Sequence, residues 1–118
     1  MAIWNQGDIV YADLAPTRGV ETTKTRPCLI VSNNQYNHLL NTVIIIPISS
    51  SPKYQLQKFQ ISPLYIDIPK NNYVKGTLLL QHVRAIDPKT RITSPTICKL
   101  DPQTLQLVLS TIESFFIE

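Results

Sequence analysis

The ionisable side chains that could do chemistry are concentrated in one polar loop near the start of the chain. Four of them lie there: Arg18, Glu21, Lys24 and Arg26. The loop separates two apolar runs, residues 9–14 and 28–31. A loop of about ten residues between adjacent strands is more often functional than a simple connector. A stiff sheet on both sides would hold such a loop in position.

Arg26 is the strongest single candidate in this loop. Its guanidinium stays charged at any working pH and can bind two phosphate oxygens at once. It stands beside Pro27 at the beginning of a strand, and the proline limits the directions that the chain can take. The alternative is a surface arginine paired with Glu21 or Asp13, and residue types alone leave both readings open.

The remaining pattern predicts many short strands and two helices. Strands are expected over residues 9–14, 28–31, 42–48, 77–81 and 83–86, in two pieces around Pro63 within 59–68, and within 91–100. Pro47 inside the most β-branched run implies an edge strand or a bulge. A polar stretch up to Lys58 is expected to be a mobile loop.

Two helices are marked by their capping residues. Asn33 or Asn34 can cap a short helix over residues 35–40, after the second strand. Asp101-Pro102 reads as an N-cap followed by proline in the first helical position. Apolar residues at helical spacing then define one face: Leu105, Val108, Leu109, Ile112 and Phe116. The fold class predicted is mainly β (α+β), a small SH3-like β-barrel with these two helices appended.

Length and composition indicate one globular domain spanning residues 1–118. The chain is 43% hydrophobic and carries a net charge of +3 with a pI near 9.0, which permits an anionic partner without requiring one. Cys28 and Cys98 lie far apart without metal-ligand spacing, so neither a disulfide framework nor a zinc site is expected. Without a signal peptide or a long apolar run, a cytoplasmic protein with no membrane contact is expected.

Several motifs, taken together and in order, resemble the MazF/PemK toxins of bacterial toxin–antitoxin systems. They are Gly7-Asp8-Ile9-Val10, Gly19 with Glu21, Arg26-Pro27, Pro47-Ile48-Ser49 and Val83-Arg84-Ala85-Ile86-Asp87. The resemblance implies an SH3-like barrel that forms a homodimer and cleaves single-stranded RNA at short motifs. It implies that no metal or other cofactor is needed, and that a cognate antitoxin covers the RNA site with an acidic, disordered tail.

The resemblance also implies which residues are catalytic. In this family the 2′-OH of the RNA attacks the adjacent phosphate and leaves a 2′,3′-cyclic phosphate and a 5′-OH. Arg26 would stabilise the negative phosphorane. Ser49 stands where the family usually has threonine and would offer a hydroxyl to a phosphate oxygen. Glu21 would act as a base or orient Arg26.

A second group of residues is expected to bind RNA: Lys24, Ser50, Gln81, His82 and Arg84. Tyr11, Tyr54 and Phe59 are available for stacking on bases. Gln81 replaces an acidic residue common in the family, and Val20 replaces a histidine found in some relatives. Because neighbouring strand residues point to opposite faces, only one of Gln81 and His82 should face the groove. The general base is therefore left open.

Two other functions remain as alternatives. One is a CcdB-like toxin that poisons DNA gyrase through the end of its last helix. Those proteins end in a tryptophan-containing signature, whereas this chain ends at Ser114-Phe115-Phe116-Ile117-Glu118 and has one tryptophan, Trp4. The other is a non-catalytic SH3-like module that binds RNA or a peptide, which Ser49 and Gln81 keep open.

Overall fold

The computed structural model describes residues 3–14 and 25–117 of the chain. The strands are β1 (Asp8–Asp13), β2 (Thr25–Ile30), β3 (Val43–Ser49), β4 (Tyr65–Asp67), β5 (Thr77–Leu79), β6 (Arg84–Ile86) and β7 (Cys98–Lys99). The α-helices are α1 (Asn34–Leu39), α2 (Gln57–Gln60), α3 (Pro88–Arg91) and α4 (Pro102–Glu113), and two 3₁₀ helices span Pro52–Gln55 and Leu80–His82. The predicted mainly β class is confirmed, with one helix after the second strand and one at the C-terminus.

The strands form one curved, seven-stranded half-barrel sheet in which β3 has three partners. The order is β4-β5-β3-β2-β1-β7, and β6 also pairs with β3. Along one edge β3 is antiparallel to β2, with Ile45 opposite Ile30. Along the other edge it pairs first with β6 and then with β5. Pro47 lies between these two ladders, at a break where a missing N–H is tolerated. Of the two alternatives predicted for Pro47, the edge strand is wrong, because β3 is a central strand.

Each face of the sheet carries its own apolar cluster. On one face, Ile46, Ile48 and Leu78 pack with Val108 of α4, and all four side chains are at most 1% exposed. On the other face, Cys28, Ile45 and their neighbours pack with Trp4 and Ile92. Strand alternation separates the two sets, because successive side chains of β3 point to opposite faces. The open end of the second face carries the polar residues of the site described below.

The carboxylate of Asp8 is buried at the start of β1 and fully supplied with donors. It is 1% exposed, and its oxygens accept hydrogen bonds from the Asn5 N–H, the Thr96 hydroxyl and the Lys99 ammonium. A buried charge is tolerated when it is paired and hydrogen-bonded in this way. The Gly7-Asp8 motif thus joins β1 to β7 and the N-terminal turn.

Three local expectations are corrected by the structure. Residues 52–60 are not a mobile loop but form a 3₁₀ helix and α2, so the strand expected to start at Phe59 begins only at Tyr65. α3 was not predicted, because its four residues offer little periodicity. Phe116 lies beyond the end of α4 and is 80% exposed, whereas Leu105, Val108, Leu109 and Ile112 pack against the core as predicted.

The N-terminus of α4 is capped as the sequence predicts. The Asp101 side chain accepts a hydrogen bond from the Thr104 N–H at 3.0 Å, and Pro102 occupies the first turn. This backbone hydrogen bond lowers the pKa of Asp101 below its usual value. The charged carboxylate is thus the form that stabilises the helix.

Substitution of Asp101 should show how much this N-cap contributes to the free energy of unfolding. Asp101→Ala should lower the free energy of unfolding by about 1 kcal/mol, within the 0.5–2 kcal/mol range of N-cap losses. The matched variant Asp101→Asn keeps the acceptor and should lose less. Because the pKa of Asp101 is lowered on folding, the stabilisation is present above the unfolded pKa and disappears as the pH falls through the folded pKa. Urea unfolding at pH 7 and near pH 3 tests both points, and equal values for the alanine and asparagine variants would contradict the cap.

Candidate active site

Four polar side chains lie in a row across the second face of the sheet. The β2–β3 ladder ends at the pair Cys28–Pro47, and Arg26 and Ser49 each lie two residues beyond that pair, at adjoining ends of β2 and β3. Ser49 pairs with Thr77, and Thr77 pairs with Asp67. Directly opposite residues share a sheet face, and adjacent strands are about 4.8 Å apart. This site row therefore runs from β2 across β3 and β5 to β4.

Ser49 is held by its own turn and by a glycine. Its Oγ accepts the Ser51 N–H at 3.2 Å, so the hydroxyl proton remains available for donation. A Cβ on Gly76 would lie 2.6 Å from the Ser49 carbonyl oxygen, and Gly76 has a positive φ of 151°. Only glycine permits both features without strain. Ser49 is 6% exposed, so most of the residue is covered by its neighbours.

The far end of the site row is a hydrogen-bonded network. The Thr77 hydroxyl donates to Asp67 Oδ1 at 2.8 Å, and Gln55 Nε2 donates to the same oxygen at 3.2 Å. Gln55 comes from the 3₁₀ helix after β3 and so fixes that helix over the row. Among the described residues, both of these hydrogen bonds to the Asp67 carboxylate are made to Oδ1.

The Cys28–Pro47 pair lies next to the site row, and two arginines act electrostatically on the buried thiol of Cys28. Burial raises the pKa of Cys28 to about 12, and the positive charges of Arg26 and Arg84 oppose that rise. Arg84 stands opposite Ile45, on the face that also carries Cys28. Both guanidinium groups are therefore close enough to Cys28 for their charges to act on its thiol.

Gln81 and His82 lie in the 3₁₀ helix Leu80–His82 rather than on a strand. Both are exposed, and the strand on which the expectation of one groove-facing residue rested is absent at these two positions. Gln81 Nε2 donates to the Tyr65 hydroxyl at 2.9 Å. Ser50 is exposed next to Ser49. Glu21 and Lys24 lie outside the described residues.

Sequence reasoning missed Asp67, Thr77 and Gln55. The alternation Ile66-Asp67-Ile68 carries a local signal, because a polar residue between two core residues of a strand points away from the core. For Thr77 and Gln55 the signal lies in pairing between distant segments. Within the described ranges, no group of three or more His, Cys, Asp or Glu is placed to hold a metal ion. None of the helices there has the length and hydrophobicity of a membrane span.

Comparison with known proteins identifies the family. Residues 5–116 match the profile of the family described as PemK-like, MazF-like toxin of type II toxin-antitoxin system. The chain belongs to this family. Endoribonuclease EndoA of Bacillus subtilis (strain 168) is 32% identical over 109 residues, which cover 90% of this chain and 88% of that protein. The resemblance to MazF/PemK toxins is thus confirmed, and the activity named for EndoA agrees with the predicted endoribonuclease activity.

Solved structures of MazF proteins share the fold. MazF from Deinococcus radiodurans (Form-I) matches with a TM-score of 0.79 at 23% identity, covering 98% of this chain and 97% of that one. An endoribonuclease from a mycobacterial species, in complex with its cognate antitoxin, matches with a TM-score of 0.70 at 17% identity, covering 97% and 96%. At these identities the match establishes the MazF-like fold alone.

The contact between Gly76 and Ser49 predicts a costly substitution. Gly76→Ala should lower the free energy of unfolding by about 1–3 kcal/mol, because alanine adds backbone strain and a clash with a carbonyl oxygen. The exposed neighbouring variant Lys75→Ala should change it by less than about 0.5 kcal/mol. Urea denaturation of both variants is the measurement. Wild-type stability of Gly76→Ala would show that the two backbones are not held together.

The raised pKa of Cys28 predicts a loss of stability in alkali. The pKa rises from 9.0 to about 12 on folding, so the stabilisation is complete below pH 9 and is lost as the pH rises towards 12. One proton accounts for a slope of at most about 1.4 kcal/mol per pH unit. Cys28→Ala should remove this part of the decline when urea unfolding is compared between pH 8 and 11. Parallel declines in the two proteins would contradict it.

Proposed function

We propose that this MazF-family toxin cleaves single-stranded mRNA inside the chain by attack of the 2′-OH on the adjacent phosphate. The products would be a 2′,3′-cyclic phosphate and a 5′-OH. The observation that supports the proposal is the site row, in which Arg26 and Ser49 each lie two residues beyond the Cys28–Pro47 pair of adjacent strands. Such chemistry needs alignment of the phosphodiester and stabilisation of the negative phosphorane more than it needs a protein nucleophile.

Arg26 and Ser49 would make different contacts with the phosphate. Arg26 binds the non-bridging oxygens in a bidentate manner and stabilises the extra charge of the phosphorane. Ser49 donates its hydroxyl proton to the phosphate, while the Ser51 N–H holds the hydroxyl oxygen. Arg84, on the same face, adds positive charge for the flanking backbone.

The proton acceptor for the 2′-OH is assigned to Glu21, with orientation of Arg26 as its second role. Gln81 cannot ionise, and its amide is bound to the Tyr65 hydroxyl. We assign Gln81, His82, Ser50 and Lys24 to binding of the RNA chain around the cleaved bond.

The regulation proposed follows the family. A cognate antitoxin would cover the site with an acidic, disordered tail that competes with RNA for Arg26 and Arg84, in the cytoplasm. A mycobacterial endoribonuclease of this fold has been solved with its cognate antitoxin, and MazF of Deinococcus radiodurans with MazE. Exposed apolar residues at the ends of α1 and α4 favour a homodimer: Leu39, Leu40, Phe115 and Phe116.

Cleavage of a long single-stranded RNA in EDTA, followed by mapping of the product ends, tests the proposal. Wild-type protein should give 2′,3′-cyclic phosphate ends at a few defined motifs. Arg26→Ala should lose about 10²- to 10³-fold in rate, the cost of removing one preorganised donor to an oxyanion. Arg26→Lys should recover only part of the rate, because lysine keeps the charge and loses the planar fork.

Matched variants separate a catalytic effect from a general one. Ser49→Thr should cleave near the wild-type rate, whereas Ser49→Ala should not. Arg91→Ala removes a guanidinium of α3 that donates to the Asp13 carbonyl oxygen, not to a side chain of the site row, and should leave the rate unchanged. Intact RNA together with inhibition of DNA gyrase would favour the CcdB-like function. RNA that is retained but not cut would favour a binding module.

A further inference from the structure

Three aromatic side chains form a cluster at the β4 edge of the sheet, here called the aromatic platform. Tyr54 comes from the 3₁₀ helix after β3, Phe59 from α2 and Tyr65 from β4. Tyr54 and Tyr65 are stacked, with centroids 5.3 Å apart and planes at 23°, and Phe59 meets both rings edge-on at 5.0 and 4.9 Å. All three are half-buried, and none belongs to either apolar cluster of the core. The platform therefore presents aromatic surface that core packing does not use.

The platform lies on the same sheet face as the site row. Tyr65 stands opposite Leu79, two residues before Asp67, and side chains two residues apart in a strand share a face. Asp67 belongs to the row that contains Ser49. A ligand bound at Ser49 can thus reach the platform along this face without leaving the sheet.

Two lysines place positive charge beside the rings. Lys53 Nζ lies 5.0 Å from the centroid of Tyr54, and Lys58 Nζ lies 5.2 Å from that of Phe59. Within the described ranges the one salt bridge joins Lys99 to Asp8, so no carboxylate there neutralises either lysine. Cations beside half-buried rings match single-stranded nucleic acid, whose phosphates bind to positive charge and whose bases stack on aromatic surface.

Hydrogen bonds fix the platform before any ligand binds. Gln60 Nε2 donates to the Tyr54 carbonyl oxygen at 2.7 Å, and Gln81 Nε2 donates to the Tyr65 hydroxyl at 2.9 Å. Gln55 connects the same 3₁₀ helix to Asp67. A surface that is already ordered loses little entropy on binding.

We propose that the aromatic platform is a stacking subsite for one unpaired RNA base near the phosphate held by Arg26 and Ser49. The inference rests on the proposed function and adds a base-binding position to it. A flat base extends the Tyr54–Tyr65 stack from its outer side and displaces Lys53 towards the neighbouring phosphate. A peptide has no comparable plane over its whole length, which favours RNA as the occupant.

Fluorescence of 2-aminopurine tests this subsite independently of cleavage. The probe is a short single-stranded RNA that the protein retains; where a cleavage motif has been mapped, the RNA contains it, with 2′-deoxyribose at the attacking position so that it binds without being cut. 2-Aminopurine is placed at each flanking position in turn, and the wild-type protein should quench it at one position. An abasic residue there should weaken binding by about 5- to 150-fold, the range measured for base–aromatic stacking.

The variants remove the aromatic surface without emptying the site. Tyr54→Leu keeps apolar packing and should abolish both the quenching and the abasic penalty, whereas Tyr54→Phe should keep both. Tyr36→Ala is the matched control, because Tyr36 lies in α1 and bonds Thr42 at the opposite end of β3. It should behave like wild type.

The outcomes separate this inference from the proposed function. Quenching that depends on Tyr54, in a protein that cuts no RNA, would leave the stacking subsite standing and overturn the nuclease. Cleavage that depends on Arg26, with equal quenching in wild type and Tyr54→Leu, would overturn the subsite alone. Unchanged RNA binding by Tyr54→Leu, with loss of antitoxin binding, would show that the platform binds a peptide instead.

Discussion

The hydrogen bonding of β3 along both edges is the constraint on which the candidate site depends. One edge is occupied by β2, and the other is divided between β6 and β5. Ser49 ends this strand, where it pairs with Thr77 of β5 and its carbonyl group lies against the backbone of Gly76. The Ser49 hydroxyl is therefore placed at the end of a strand that is paired along both edges.

What could be predicted from the sequence was local in origin. The β-branched run of β3, the Asp101 cap and the position of Arg26 beside a strand depend on residues close in the chain. The place of Thr77 and Asp67 in the site row depends on which strands pair and in what register, which no local pattern specifies. Arg26 and Ser49 were therefore predicted as candidates from the sequence, whereas Thr77 and Asp67 could be found only from the tertiary structure.

Residues 52–60 show why a polar stretch can be misread. Their two helical turns are too short for a recognisable period, and they are ordered by contacts with distant residues. Gln55 bonds Asp67, and the Tyr54 and Phe59 rings pack against Tyr65. Contacts with β4, which follows in the chain, therefore order this segment, and the local helix propensity of the segment contributes little.

The charged motif residues differ in their electrostatic surroundings. Asp8 is buried but receives donors from three residues, including an ammonium, so its charge is stabilised within the fold. Arg26 and Arg84 instead place two positive charges near the buried, neutral thiol of Cys28. The charge of Asp8 is thus compensated within the fold, whereas the two guanidinium groups offset part of the pKa rise that burial produces at Cys28.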